Sequence, residues 1–165
     1  MKEKNYIMNE YMKIAKELAR DNLKTNAGGP FGACIVKNGE IIGRGANRVL
    51  KNNDPTAHAE MIAIKDACKN INSYDLSNCE LYTSCYPCPM CLSAIIWANI
   101  KTVYYGNTKE DAASIGFRDD FIYNYINDLS QGKQNNDVLK LNPMDREKTI
   151  EEFNNFANKN DKTIY

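Results

Sequence analysis

The feature that most constrains this chain is a set of metal-type donors split between two segments. His58-Ala59-Glu60 lies in the first, and Pro87-Cys88-Pro89-Met90-Cys91 lies in the second. His58 is the only histidine present. Two thiolates and one neutral imidazole are a preferred donor set for zinc. Any fold that uses them must bring both segments to one point.

Local chemistry favours that convergence. Cys88 and Cys91 are three apart at a predicted helix start, so their sulfurs share one face. Pro89 is tolerated there because the first helical turn leaves its N–H groups unpaired anyway. A helix N-terminus favours negative charge, and thiolate is the form that binds metal. His58 and Glu60 are two apart, which places them on opposite faces of a helix interior. They converge only if the metal lies off a helix end, and Asn53-Asp54-Pro55-Thr56 supplies that start. Three protein ligands leave a fourth position for water, the arrangement of catalytic zinc. Zinc lowers that water's pKa to about 7, so hydroxide is expected at neutral pH. Glu60 is then placed to carry its proton.

Cys85 opens an alternative. With Cys88 and Cys91 it makes C-x-x-C-x-x-C, and with His58 it closes a four-ligand structural site. That reading describes a zinc-stabilised binding module with no role for Glu60. Cys85 precedes the predicted helix and should point away from its face. Cys34, Cys68 and Cys79 read as small buried apolar residues.

The remaining pattern predicts an α/β chain. Ile7, Met8, Tyr11, Met12, Ile14, Ala15, Leu18, Ala19 and Leu23 fall at helical spacing. Phe31–Lys37 and Ile41–Ala46 flank Asn38-Gly39, a strong hairpin signal. A helix is expected from Ala57 to about Lys69, a strand over 80–83, a helix from Met90 to about Asn99, and a strand over 102–105. The 80–105 unit implies a parallel crossover. Helix is expected over 109–129 with breaks near Gly116, then a last strand at Val138–Leu141 and a closing helix over 145–159. The sum is a three-layer α/β/α sandwich around a mixed five-stranded sheet, in one domain over 1–165.

Basic and acidic residues balance at 21 each, only five of the basic ones are Arg, and none forms a dense run. Nucleic acid is therefore an unfavoured partner. The charged N-terminal stretch has no signal-peptide core, and no window is apolar enough to span a membrane. A cytoplasmic location is expected, where the six cysteines stay reduced.

The joint H-x-E…P-C-x-x-C pattern is the signature of zinc-dependent deaminases. The chain resembles the cytidine-deaminase-fold superfamily, and within it the small bacterial guanine deaminases. The resemblance runs through Gly29–Ala33, Asn53–Glu60, Leu81–Cys85, Pro87–Cys91, Trp97-Ala98, Asp111–Ala113, Gly116-Phe117, Phe121–Tyr123 and Asn155–Lys159. It implies conversion of guanine and water to xanthine and ammonia, with one zinc per subunit held by His58, Cys88 and Cys91. Glu60 is implied as proton shuttle, and Asp119 as a second carboxylate for the leaving amine, with Asp120 as competitor. Asn47, Phe31, Trp97, Ala59 and Tyr165 are the implied contacts to a purine base. The tail runs longer than the family's usual end, so Tyr165 reaches a site or ends a loose terminus. Relatives form homodimers by exchanging C-terminal segments, which implies the same for residues 143–165. A tRNA adenosine deaminase shares the zinc motifs, but it calls for a basic closing helix. Here Asp145, Glu147, Glu151 and Glu152 are mixed with the lysines. Cytosine or another aminated heterocycle stays open.

Overall fold

The computed structural model describes residues 7–165, which fall into two compact units, one ending at Tyr123 and one running from Asn124 to Tyr165. Residues 1–6 of the charged N-terminal stretch lie outside the described residues.

In the first unit, β1 (Gly32–Lys37), β2 (Glu40–Ala46), β3 (Cys79–Cys85) and β4 (Thr102–Asn107) form one sheet in the order β2-β1-β3-β4. β1 is antiparallel to β2 and to β3, whereas β3 and β4 are parallel. The sheet is thus mixed. The hairpin forms as its sequence demands: Asn38 and Gly39 turn with φ of 51° and 83°.

The pleat sorts side chains to two faces. Ala33, Ile35 and Leu81 point to one core cluster, and Cys34, Val36 and Tyr82 to another. On the first face lie α3 (Ala59–Ile71), through Ala59, Ala63 and Ala67, and α4 (Pro89–Trp97), through Ile95. On the second lies α1 (Glu10–Asp21), through Tyr11, Met12 and Ile14. Helices therefore cover both faces, which makes three layers.

The small residues of α3 have a consequence for the site. A Cβ on Gly45 of β2 would lie 2.0 Å from the Ala59 carbonyl and 2.6 Å from the Ala63 nitrogen. Only glycine allows so close an approach, and it seats the start of α3 directly on the sheet.

Caps explain where the expected boundaries moved. The Asn9 side chain accepts from the Tyr11 and Met12 N–H groups, so α1 begins at Glu10 and leaves Ile7 exposed. The single-turn α2 (Val49–Asn52) was not expected; the Asn47 Oδ1 accepts from the Val49 N–H to start it. The break near Gly116 separates α5 (Lys109–Ser114) from α6 (Asp120–Ser130), with Gly116 at φ 98°.

The sheet has four strands among the described residues, not five. The segment expected as a strand, Val138–Leu141, turns instead. Its Val138 and Leu139 N–H groups both donate to the Asn135 carbonyl, so they are spent locally and build no ladder. In this second unit Tyr125 is buried and donates its hydroxyl to the Leu139 carbonyl at 3.0 Å. The closing α7 (Arg146–Ala157) buries no residue, and Phe153 and Phe156 are exposed. Among the described residues, no helix is long and apolar enough to cross a membrane.

Candidate active site

Two helices begin at the site. His58 is the N-cap of α3 and Cys88 is the N-cap of α4, both with extended backbone (ψ 157° and 168°). Glu60 is the second residue of α3, and Cys91 is the third of α4. The cap conformation resolves the two-residue spacing of His58 and Glu60. At a cap, the imidazole leaves the helical screw and turns to the side on which Glu60 lies. Both helix ends direct partial positive charge toward the cluster.

The donor atoms form a compact triangle. His58 Nδ1 lies 3.5 Å from Cys88 Sγ and 3.6 Å from Cys91 Sγ. All three donors lie within 4.8 Å of one another. A tetrahedral zinc ion with ordinary nitrogen and sulfur contacts separates such donors by about 3.5 Å. The residues therefore fit zinc in donor type and in spacing. Cys85 stands apart from this group. Its Sγ is directed to the Thr108 carbonyl at 3.5 Å, and burial pushes its thiol up to about 11.

The thiols are set apart electrostatically. Cys88 is pulled down to about 4, chiefly by the hydrogen bond from the Cys91 thiol, with help from His58 and the Cys91 backbone N–H. Cys91 moves the opposite way, because it donates to Cys88 and is buried. His58 is raised by its hydrogen bond to Cys88. The surroundings favour the thiolate form of Cys88, and a bound metal would displace the remaining thiol proton.

Glu60 is buried at 6% exposure. Its Oε1 accepts from the Thr83 hydroxyl at 3.0 Å, and its Oε2 accepts from the Cys91 thiol at 3.5 Å. Burial raises its pKa, while the Glu60 backbone N–H and then the Thr83 hydrogen bond oppose the rise. Thr83 carried no assigned role in the sequence. The available signal was its register: it is two residues beyond Leu81 on β3, so it faces α3, where an apolar residue is expected.

Asp119 and Asp120 separate clearly. Asp120 is exposed and paired with Arg118, Nη2 to Oδ2 at 2.9 Å and Nε to Oδ1 at 3.2 Å. Asp119 is partly buried, and its pKa is raised by burial and by the negative charge of Cys88. Nearby, Tyr123 donates to the carbonyl of Pro87 at 3.3 Å, and the Lys109 ammonium lies 4.7 Å from its ring centre.

The other sequence candidates are placed as follows. Ala59 is fully buried as the first residue of α3. Asn47 is buried just beyond β2, and its N–H donates to the Phe31 carbonyl at 3.1 Å. Phe31 is half-buried and meets Phe117 edge-on, with ring centres 5.0 Å apart. Trp97 ends α4 with 68% of its surface exposed. Tyr165 ends the second unit, 81% exposed.

Comparisons with characterised proteins agree with this geometry. Residues 6–107 match the family described as the cytidine and deoxycytidylate deaminase zinc-binding region. The chain is 46% identical over 149 residues to the guanine deaminase of Bacillus subtilis, covering 90% of this chain and 95% of that protein. It is 50% identical over 76 residues to a tRNA-specific adenosine deaminase of Aquifex aeolicus, covering 46% of this chain and 50% of that one. The crystal structure of the B. subtilis guanine deaminase superimposes with a TM-score of 0.87 at 43% identity, covering 96% of this chain and 99% of that one. From its cap-borne donors to its sheet order, the chain belongs to the cytidine and deoxycytidylate deaminase zinc-binding family.

Proposed function

We propose that the chain hydrolyses guanine to xanthine and ammonia. The observation that carries the choice of substrate is coverage. The match to a guanine deaminase is 46% identical over 90% of the chain, whereas the matches to tRNA-specific adenosine deaminases span 46% to 73% of it, the longest at 38% identity. Substrate choice in this fold is set by pocket shape and flanking contacts rather than by the zinc motifs.

His58, Cys88 and Cys91 would hold the zinc, which when bound would supply a Lewis acid able to lower the pKa of water to about 7. Glu60 takes the water's proton and delivers it to the ring nitrogen beside the amino-bearing carbon. Water's oxygen bonds to that carbon, and the carbon–nitrogen bond to the amine breaks. The departing nitrogen needs a proton, and no second histidine exists to give it. Asp119 is assigned this role: it is partly buried near the cluster, whereas Asp120 is tied to Arg118, and it relays to the amine the second proton that the added water oxygen gives up. Asn47 bonds the purine edge, and Phe31 forms one side of the ring slot, with Ala59 beside it and Trp97 at the end of α4.

Residues 143–165 are read as a segment exchanged between two copies in a homodimer, with Tyr165 completing the neighbouring pocket. A helix that leaves Phe153 and Phe156 exposed supports this, since such rings gain by being covered. A cytosolic setting suits the chemistry, because Cys88 and Cys91 must stay reduced.

Two experiments test the proposal. Ammonia release from zinc-loaded protein is measured on guanine, adenine, cytosine, their nucleosides and a tRNA anticodon stem. Release from guanine is expected, and activity on RNA alone overturns the reading. For the exchanged segment, a Glu60→Ala chain is mixed with a chain truncated after Lys159. Regained activity is expected, and a mixture as inactive as its parts refutes the exchange.

A further inference from the structure

We propose that Asn22 and Arg48 act together as positioning residues for the substrate-facing carboxamide of Asn47. This rests on the reading above that Asn47 bonds the purine.

Asn22 caps the C-terminal end of α1 and is buried at 4% exposure. An asparagine at such a position commonly serves its own helix. This one reaches across the fold instead. Its Nδ2 donates to the Gly29 carbonyl and to the Asn47 carbonyl, each at 2.8 Å. Its Oδ1 accepts from Arg48 Nη1. Both amide donors are used, and the carbonyl is engaged by a cation. Arg48 Nη1 also donates to the Asn47 carbonyl at 3.0 Å. Among the described residues Arg48 makes no ion pair, so its charge is directed inward to this junction.

The result is that Asn47 has no free backbone group. Its carbonyl accepts from Asn22 and from Arg48, and its N–H donates to the Phe31 carbonyl. The Phe31 N–H returns to the Gly29 carbonyl at 2.9 Å, the same carbonyl that Asn22 holds. One buried amide thus ties together the two loops that carry Phe31 and Asn47. The Asn47 side chain is fixed as well. Its Oδ1 accepts from the Val49 N–H at 3.1 Å, and a Cβ on Gly28 would lie 2.1 Å from that oxygen. With Oδ1 held there, the residue offers its Nδ2 donor, which suits a ring nitrogen or carbonyl acceptor on a purine rather than an exocyclic amine.

The test is a double-mutant cycle in the zinc-loaded enzyme, Asn22→Asp against Asn47→Ala, with KM and kcat for guanine read separately. Aspartate keeps the Arg48 bond but cannot donate to either carbonyl. KM is expected to rise about tenfold with kcat changed less than about threefold, the pattern of lost ground-state binding. In the Asn47→Ala background that rise should vanish, since the two residues act as one unit. A KM for Asn22→Asp equal to the parent's overturns the proposal. So does a rise of equal size in both backgrounds, which marks a general structural role. If Asn47→Ala alone leaves KM unchanged, Asn47 does not bond the purine, and the positioning role falls with that assignment. Should Asn22→Asp fail to fold, as judged by zinc content and melting, Arg48→Met in the same cycle decides by the same outcomes.

Discussion

Replacing Thr83 with valine probes how Glu60 is held. The two side chains have nearly the same shape, and Thr83 is 1% exposed, so the substitution neither opens a cavity nor crowds a neighbour. What it removes is the hydroxyl, which lies 3.0 Å from Glu60 Oε1 and 3.2 Å from the Cys85 carbonyl. Glu60 is buried, so the lost donor is not readily replaced by bulk solvent. A hydrogen bond to a charged group is worth about 1.5–3 kcal/mol. If Glu60 must be ionised and aimed to take a proton, that converts to a loss of about 10- to 150-fold in turnover. Ammonia release from guanine, with zinc content and melting temperature measured on the same samples, separates chemistry from folding. Turnover within twofold of the parent, with zinc and fold intact, would refute the idea that Thr83 sets the carboxylate.

Four further substitutions address the ligand set, the packing and the loop before α3. Cys85→Ala should retain one zinc per chain and measurable activity, while Cys88→Ala should lose the metal; loss of zinc from Cys85→Ala would restore the four-ligand structural reading. Gly45→Ala drives a Cβ against the Ala59 and Ala63 backbone, and overpacking of this kind costs about 1–3 kcal/mol. At about 2–4 °C per kcal/mol for a chain of this size, thermal melting should drop by several degrees, and an unchanged melting temperature would contradict the close approach. Asp54 is held below its ordinary pKa, first by the Thr56 hydroxyl and then by the Thr56 N–H. A lowered folded pKa gives stability that is full above the unfolded value of about 3.9 and lost as pH falls through the folded value. The melting gap between parent and Asp54→Ala should therefore be open at pH 6 and close in acid; a gap constant with pH would show that the bonds do not depend on the carboxylate charge.

Much of this site was legible because its chemistry is local. The spacing of Cys88 and Cys91, Pro89 in the first turn, and the start signal before His58 carry their meaning in a few consecutive residues, and both helices begin where those residues require. The hairpin at Asn38-Gly39 is legible for the same reason. The rest depends on distant partners. Nothing near Thr83 in sequence says that its hydroxyl will meet Glu60, because β3 and α3 meet only after the sheet has formed. Asn22 reads as an ordinary helix end until Gly29, Asn47 and Arg48 are in place around it. Val138–Leu141 has the composition of a strand, yet its N–H groups turn back to Asn135. The different surroundings of Asp119 and Asp120 also needed the fold, since nothing in the local sequence says that Arg118 pairs with Asp120 and leaves Asp119 partly buried.

The central claim is that Glu60 moves protons at a zinc centre that it does not help to build. The direct measurement is zinc content and xanthine formation from guanine in Glu60→Ala. The account predicts one zinc per chain, as in the parent, with turnover down by at least about 100-fold, the scale of lost general acid–base catalysis. Zinc retained with turnover near the parent's would contradict it.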